Sequence, residues 1–222
     1  MAEDSADERH SEAQPADIIK DEDEKARREA RNALQQFDTV TKLIEEWCRL
    51  DRSFKLRSST ILQLHRQALD GISAYAGNWR PAAVQIHGSK HRPVGAHLVP
   101  EKIEEMCDYV NDNWNRSAVH LASYTLWRLN WIHPFVDGNG RTARALSYLI
   151  LCIRLGYQLP GTNTIPDQIS NNKDPYYHAL EATDDAYEDQ NIDMTEMEKL
   201  VEEKLAVQLA GILKDAIGES RS

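Results

Sequence analysis

The chain has 222 residues, of which 41% are hydrophobic, enough for one well-buried domain and a short appendage. No apolar run reaches the roughly 18 residues of a membrane span, and the N-terminus lacks the features of a secretory signal. The formal charge of −10 argues against nonspecific binding to nucleic acid or anionic membrane. Three separated cysteines without a CxxC pair fit buried, reduced thiols. We therefore expect a cytoplasmic protein that binds neither nucleic acid nor membrane, with a delivered effector as the alternative.

Acidic residues are concentrated at the N-terminus. Residues 1–30 hold eleven acidic and five basic side chains, which accounts for −6 of the net charge. We expect residues 1–23 to form a disordered leader, because so polar a segment cannot bury a core. The main domain is predicted over residues 24–217, and residues 218–222 form a tail.

Hydrophobic spacing predicts helices along most of the chain. The first covers about residues 24–50, and its buried face is expected to carry Leu34, Phe37, Val40, Leu43, Ile44 and Trp47. The second begins at the hydroxyl residues 58–60, carries a packed His65 and ends near Gly71. Further helices are expected over residues 100–115, 117–131 and 140–155, then a short one near 167–172, one from 175 and one over 195–217.

Residues 76–99, which we call the flap, interrupt this pattern. Glycines and prolines break helices there, while Ala83–Ile86 alternates as a short strand does, so we predict a β-hairpin. The expected class is all-α, a bundle of about seven or eight helices with this one hairpin. A metal site at His87, His91 and His97 is the alternative, but the glycines and prolines deny the helix that such spacing needs.

The chemistry is concentrated in residues 133–144, which read HPFVDGNGRTAR. The glycines let backbone N–H groups approach an anion, and the helix that starts there directs its dipole and free N–H groups to the same place. Arg141 and Arg144 can bind phosphate oxygens, and Asp137 is a hard oxygen ligand suited to Mg²⁺. His133 is suited to act as a general base near neutral pH. The segment indicates a nucleotide-phosphate site.

Two simpler interpretations of the segment fail. Residues 138–143 also fit the dinucleotide pattern G-x-G-x-x-A, but that pattern needs a preceding strand and an acidic residue near position 160, and neither is predicted. A plain turn between helices explains the glycines and a capping role for Asp137 or Asn139. It does not explain His133, Arg141 and Arg144 around them.

The segment resembles the Fic (Fido) domain family, whose pattern His-Pro-Phe-x-Asp/Glu-Gly-Asn-Gly-Arg-x-x-Arg it matches at every defined position. The resemblance implies a Fic-like helical bundle over residues 24–217 and a protein adenylyltransferase, which moves AMP from ATP to a Ser, Thr or Tyr hydroxyl of a target protein. It implies that His133 is the general base and that Asp137 holds Mg²⁺. The implied nucleotide contacts in the motif are Asp137, Gly138, Asn139, Gly140, Arg141, Thr142 and Arg144.

The resemblance also assigns residues outside the motif. In Fic proteins the flap lies over the motif and pairs with the target segment, which would place His87, Gly88, Ser89 and Lys90 near the nucleotide and the target hydroxyl. An aromatic pair, here Tyr176 and Tyr177, lines the adenine and ribose pocket. Ordinary packing is an equal alternative for both tyrosines.

The regulatory pattern of the family is missing from the sequence. Many Fic proteins carry Ser/Thr-x-x-x-Glu-Gly/Asn, whose glutamate binds the second motif arginine, here Arg144; the nearest stretch, residues 41–46, lacks the final Gly or Asn. A small antitoxin-like chain, a different form of regulation or the acidic leader remain alternatives, and a homodimer is a further candidate assembly. The same residues could also serve a phosphotransferase, another nucleotidyl or phosphocholine transferase, or a catalytically silent binding module.

Overall fold

The computed structural model describes residues 18–49, 54–188 and 191–217. The predicted all-α class is confirmed. The first 17 residues of the expected leader and the tail from residue 218 lie outside the described residues. Within those ranges the chain forms eight α-helices and a 3₁₀ turn at Ala96–Leu98: α1 Glu22–Arg49, α2 Ser58–Leu69, α3 Val99–Asp112, α4 Ala118–Ile132, α5 Asn139–Leu155, α6 Ile165–Asn171, α7 Asp174–Glu188 and α8 Thr195–Ile217.

Helices α4 and α5 lie at the centre of the bundle. Both are buried on nearly all sides, as expected for helices that are apolar around most of their circumference. Helices α1 and α2 pack against α5, while α3 and α8 pack against α4. The loop that joins the two central helices, residues 133–138, is the first half of the motif. The most buried helices of the bundle therefore hold both ends of this loop.

Left-handed backbone conformations form the two ends of the loop. Helix α4 ends at His133, with φ +50° and ψ +59°, and α5 starts after Gly138, with φ +77°. Glycine adopts this region readily, whereas His133 is the one non-glycine residue with positive φ in the described chain. Such a conformation persists where surrounding contacts fix it. The predicted general base is thus held in a specific backbone geometry.

The buried face of α1 differs from the prediction. Leu34 is 70% exposed and Phe37 is 39% exposed, whereas Asn32 and Gln36 are buried together with Val40 and Ile44. Residues 32, 36, 40 and 44 are spaced by four, so they form the stripe that faces α2. The hydrophobic pattern predicted the wrong buried face because the first half of α1 packs through amide side chains.

The amide side chains of α1 bind the main chain of α2. Asn32 donates from Nδ2 to the carbonyl oxygens of Ala68 at 3.2 Å and Asp70 at 2.8 Å. Gln36 donates from Nε2 to the carbonyl oxygen of Leu64 at 2.8 Å. The last carbonyls of a helix have no partner within it, so the bonds from Asn32 satisfy groups at the end of α2 that the helix itself leaves unpaired. They also fix the position of α1 along α2.

The flap does not form the predicted β-hairpin. Among the described residues 76–95 there is no regular strand, only an isolated bridge at Ile86 and a series of turns. The buried side chain of Arg80 explains how this irregular segment is held, because it binds main-chain oxygens at both ends of the flap. A side chain thus replaces the ladder of backbone hydrogen bonds that a hairpin would supply.

The cysteines differ in exposure. Cys107 and Cys152 are buried as expected, but Cys48, in the last turn of α1, is exposed.

None of the described helices has both the length and the hydropathy needed to span a membrane.

We expect Asn32→Ala to lower the free energy of unfolding by about 1–3 kcal/mol, because it leaves the buried carbonyl oxygen of Ala68 without its side-chain donor. Chemical denaturation measures this change. Gln35→Ala is the matched control, since Gln35 is exposed on the same helix. Equal stability of the two variants would show that the Asn32 bonds do not hold α1 in place.

Candidate active site

A cavity of about 450 Å³ lies where the motif meets the flap, α1 and α7. This volume is within the usual range of small-molecule sites. The lining comes from five parts of the chain: Glu29 of α1; Ile86, Ser89 and His91 of the flap; Asn130, Trp131 and His133 at the end of α4; Asp137, Gly138, Asn139, Gly140, Arg141 and Arg144 of the motif; and Ser170, Lys173, Tyr176, Tyr177, Leu180 and Asp184 from α6 and α7.

His133 lies at the cavity wall with a defined tautomer. Its Nδ1 is 3.3 Å from the carbonyl oxygen of Asn130, which can only accept, so Nδ1 carries the proton. Nε2 is therefore the basic nitrogen. Burial lowers the pKa of His133 from 6.5 to about 4, which the bond to Asn130 only partly offsets. The imidazole is thus neutral and able to accept a proton throughout the physiological pH range.

The motif loop is closed by Asn139 and Thr142. The Asn139 amide accepts from the Phe135 N–H at 2.9 Å and donates to the Phe135 carbonyl oxygen at 3.0 Å. The Thr142 hydroxyl donates to the carbonyl oxygen of Gly138 at 2.9 Å, and Thr142 does not line the cavity. These two side chains, predicted to contact nucleotide, are used inside the loop. What the segment presents to the cavity is the N-terminal turn of α5, whose first N–H groups have no acceptor within the helix.

The two motif arginines have different surroundings. Arg141 donates from Nη2 to Asp137 at 2.7 Å and from Nη1 to Glu29 at 3.1 Å. Arg144 has no carboxylate partner among the residues that the structure describes, and burial lowers its pKa, although an arginine stays charged at any physiological pH. Its Nη1 lies close to Gly140, where a Cβ would be only 3.2 Å away. One positive charge is thus shared with carboxylates, and the other is available to an anion.

Asp137 is the only motif carboxylate at the cavity. Its Oδ1 accepts from the N–H of Gly138 at 2.5 Å, and Oδ2 accepts from Arg141. In the described chain no group of three His, Cys, Asp or Glu side chains is arranged to hold a metal, so the alternative of a histidine metal site in the flap finds no support. Mg²⁺ in nucleotide sites commonly uses one or two carboxylates together with phosphate oxygens and water. A single carboxylate fits an ion that arrives with its nucleotide.

His65 of α2 packs against the motif loop. This agrees with the prediction of a packed rather than a catalytic histidine. Its Nδ1 accepts from the N–H of Gly77 at 2.9 Å, so its Nε2 carries the proton and donates to the carbonyl oxygen of Asp137 at 3.0 Å. Its ring stacks on Phe135 at a centroid distance of 3.6 Å. Burial lowers the pKa of His65 to about 4, which keeps it in this neutral form.

Arg80 connects the flap to His133, and no sequence pattern predicted this contact. Its Nε donates to the carbonyl oxygen of His133 at 2.8 Å, its Nη1 to that of Ala82 at 2.9 Å, and its Nη2 to that of Val94. Its own N–H donates to Pro134. Arg80 is 2% exposed. It therefore holds the left-handed residue at the end of α4 and both ends of the flap.

The predicted flap residues are only partly at the cavity. Ser89 lines it, whereas His87, Gly88 and Lys90 do not. Ile86 and His91 line it instead, and His91 donates from Nε2 to the carbonyl oxygen of Trp131 at 2.7 Å.

The two predicted tyrosines both line the cavity but differ in role. Tyr176 is 2% exposed, and its hydroxyl oxygen accepts from Nδ2 of Asn130 at 2.6 Å, so packing accounts for most of its side chain. Tyr177 is half-buried. Asn130 was not predicted, yet it contacts Tyr176 through its side chain and His133 through its carbonyl. Asn130 therefore joins His133 to the α7 wall of the cavity.

Known proteins share this sequence and fold. A family model described as Fic/DOC family matches residues 55–151. The chain is 36% identical over 100 residues to protein adenylyltransferase fic-1 of Caenorhabditis briggsae, and 31% identical over 152 residues to protein adenylyltransferase Fic of Drosophila willistoni. These regions cover 44% and 67% of this chain but 19% and 28% of the two relatives. The chain thus spans less than a third of the length of the curated relatives it matches.

A solved structure supports the same assignment at the level of fold. Residues 134–508 of Fic-1 from C. elegans superpose with a TM-score of 0.66 and 21% identity, over 86% of this chain and 52% of that one. The family match includes the complete motif from His133 to Arg144, and seven of these twelve residues line the cavity. The chain belongs to the Fic/DOC family.

Proposed function

We propose that the protein is an adenylyltransferase that moves AMP from ATP to a Ser, Thr or Tyr hydroxyl of a target protein presented at the flap. The observation that carries the proposal is the cavity itself. A neutral histidine, two arginines and the N-terminus of α5 surround one space of nucleotide size. The relatives named protein adenylyltransferase, at 36% and 31% identity, support the same reaction.

His133 acts as the general base. Its Nε2 takes the proton of the target hydroxyl, whose oxygen attacks the α-phosphorus of ATP while the bond to pyrophosphate breaks. The Asn130 carbonyl holds the proton on Nδ1, which keeps Nε2 available and the ring oriented. A well-positioned base contributes roughly 10²–10⁴-fold to a rate. Orientation of the two substrates supplies a further part of the acceleration.

Charge stabilisation comes from α5. The phosphates carry most of the negative charge of the transition state, and the free N–H groups of the first turn together with Arg141 and Arg144 face the cavity. Arg144 has no carboxylate to release among the described residues, so it can bind the phosphate chain directly. The first turn of α5 is in place before the nucleotide arrives, which reduces the reorganisation needed during reaction.

Asp137 is the residue that would hold Mg²⁺ bound to the nucleotide. The ion would neutralise phosphate charge and polarise the bond to the leaving group. Asp137 is well placed for this role because its carbonyl is fixed by His65 and its carboxylate lies beside Arg141.

A phosphotransferase is the second candidate, because the same groups could bind a nucleotide in the opposite direction. Another nucleotidyl or phosphocholine transferase and a silent binding module are the remaining alternatives. The position of the label that is transferred distinguishes these functions.

We expect purified protein with Mg²⁺, ATP and a cell lysate to transfer label from the α-phosphate of ATP and not from the γ-phosphate. His133→Ala should abolish the transfer because it removes the proposed general base, yet it should still bind ATP, since the arginines and α5 remain. Autoradiography of target bands and calorimetric titration with ATP measure the two effects.

His178→Ala is the matched control, because His178 is exposed on α7 outside the cavity, and it should transfer AMP like the wild type. Label from the γ-phosphate would establish a phosphotransferase instead. Loss of ATP binding in His133→Ala would contradict the assignment of His133 as a base alone.

The depressed pKa of His133 predicts an unusual pH profile. The neutral form is the active one, and a lowered pKa keeps it neutral as the pH falls, so kcat/KM should stay level between pH 8 and pH 6. A histidine with the ordinary pKa would be only about one quarter neutral at pH 6. Steady-state rates across this range test the point, with circular dichroism at each pH as the folding control. A decline with an apparent pKa near 6.5 would show that the base is not the buried His133.

A further inference from the structure

The ion pair between Glu29 and Arg141 is a contact at the cavity that the motif does not explain. Glu29 lies on α1, and its Oε1 is 3.1 Å from Nη1 of Arg141, which is 112 residues away in the sequence. Arg141 is therefore held from two sides, by Asp137 at Nη2 and by Glu29 at Nη1. The glutamate does not touch Arg144, so it leaves the second motif arginine free.

Helix α1 holds Glu29 in a fixed place. Asn32, one turn further along, donates to carbonyls at the end of α2, and Arg28 pairs with Asp70 at 2.8 Å. The same α2 carries His65, which binds the carbonyl of Asp137. Contacts with α2 thus set the positions of both carboxylates that contact Arg141. The pair itself is partly exposed, with Glu29 at 40%, so it adds little to folding stability.

A guanidinium has five N–H donors and can bind groups on different edges at the same time. A phosphate oxygen that replaces Asp137 at Nη2 leaves the Glu29 bond at Nη1 intact. Asp137 is the more exposed of the two carboxylates, at 52%, and belongs to the same loop as the arginine, so it is the partner that can turn away. Glu29 belongs to a separate, fixed helix.

We propose that Glu29 is a positioning residue, which holds Arg141 in the orientation that stabilises the phosphate charge during transfer. This inference rests on the proposed function for its kinetic part. It also predicts that Glu29 weakens the binding of ATP, because a carboxylate close to the nucleotide repels the phosphates. Removal of Glu29 should therefore lower kcat without raising KM for ATP.

We expect Glu29→Ala to lower kcat by about tenfold or more, as misplacement of a catalytic group does, with KM for ATP unchanged or lower. Glu29→Gln keeps an acceptor oxygen and should recover most of kcat. In an Arg141→Ala background, Glu29→Ala should have no further effect on kcat, because it acts through that arginine. Glu45→Ala is the matched control, since Glu45 pairs only with Arg49 near the other end of α1.

A second readout does not depend on transfer. In ¹⁵N side-chain spectra the guanidinium signal of Arg141, assigned by its loss in Arg141→Lys, should show restricted rotation in the wild type and in Glu45→Ala but faster rotation in Glu29→Ala. An unchanged signal, a rise in kcat in Glu29→Ala or an equal loss in the Arg141→Ala background would overturn the proposal. If the wild type transfers no AMP, the proposed function fails, and the spectra still decide whether Glu29 holds Arg141.

Discussion

The shape of the catalytic loop depends on a neutral imidazole between two main-chain groups. His65 accepts one hydrogen bond at Nδ1 and donates one at Nε2, and only the uncharged ring can do both. Its neighbour one turn on, Leu69, packs so closely under Gly138 that a Cβ there would collide with it. The left-handed glycine and the histidine below it thus fix where α5 begins. The position at which α5 begins thus follows from contacts made by α2.

The cavity presents positive groups, although the net charge of the whole chain is negative. A protein of net charge −10 repels anions at long range, yet its cavity presents a helix N-terminus and two guanidinium groups. Salt screens distant charges over about 10 Å, whereas the partly buried Arg144 is in direct reach of a ligand. Affinity for an anionic ligand therefore depends on a few groups at contact distance. The two carboxylates beside Arg141 balance part of the positive charge at the cavity.

The sequence predicted what local spacing encodes. The helices α2 to α8, the turn at Gly138 and the joint position of His133, Arg141 and Arg144 follow from periodicity and from one contiguous motif. It did not predict contacts between distant segments. Glu29 is separated from Arg141 by 112 residues, and Arg80 from His133 by 53, and neither stands in a pattern that marks it.

The two fold errors have physical causes of the same kind. Leu34 and Phe37 had the spacing of a buried face, but amide bonds from Asn32 and Gln36 decided which side of α1 turned inward. The flap had the alternation of a strand, but a buried guanidinium supplied the bonds that a hairpin would need. In both places a polar side chain bound to main chain outweighed the hydrophobic pattern, and such bonds have no periodic signature.

The contacts of Arg80 separate two kinds of evolutionary change. This side chain fixes the flap only at Ala82 and Val94, while the residues between them, 83–93, are free of its bonds. Substitutions in that interval can change the surface of the flap without removing the bonds of Arg80 to the carbonyl of His133. Ile86, Ser89 and His91 within the interval line the cavity, so eight of its eleven positions can vary without changing the lining. The exposed surface of the flap can therefore change while the geometry of the motif loop is kept.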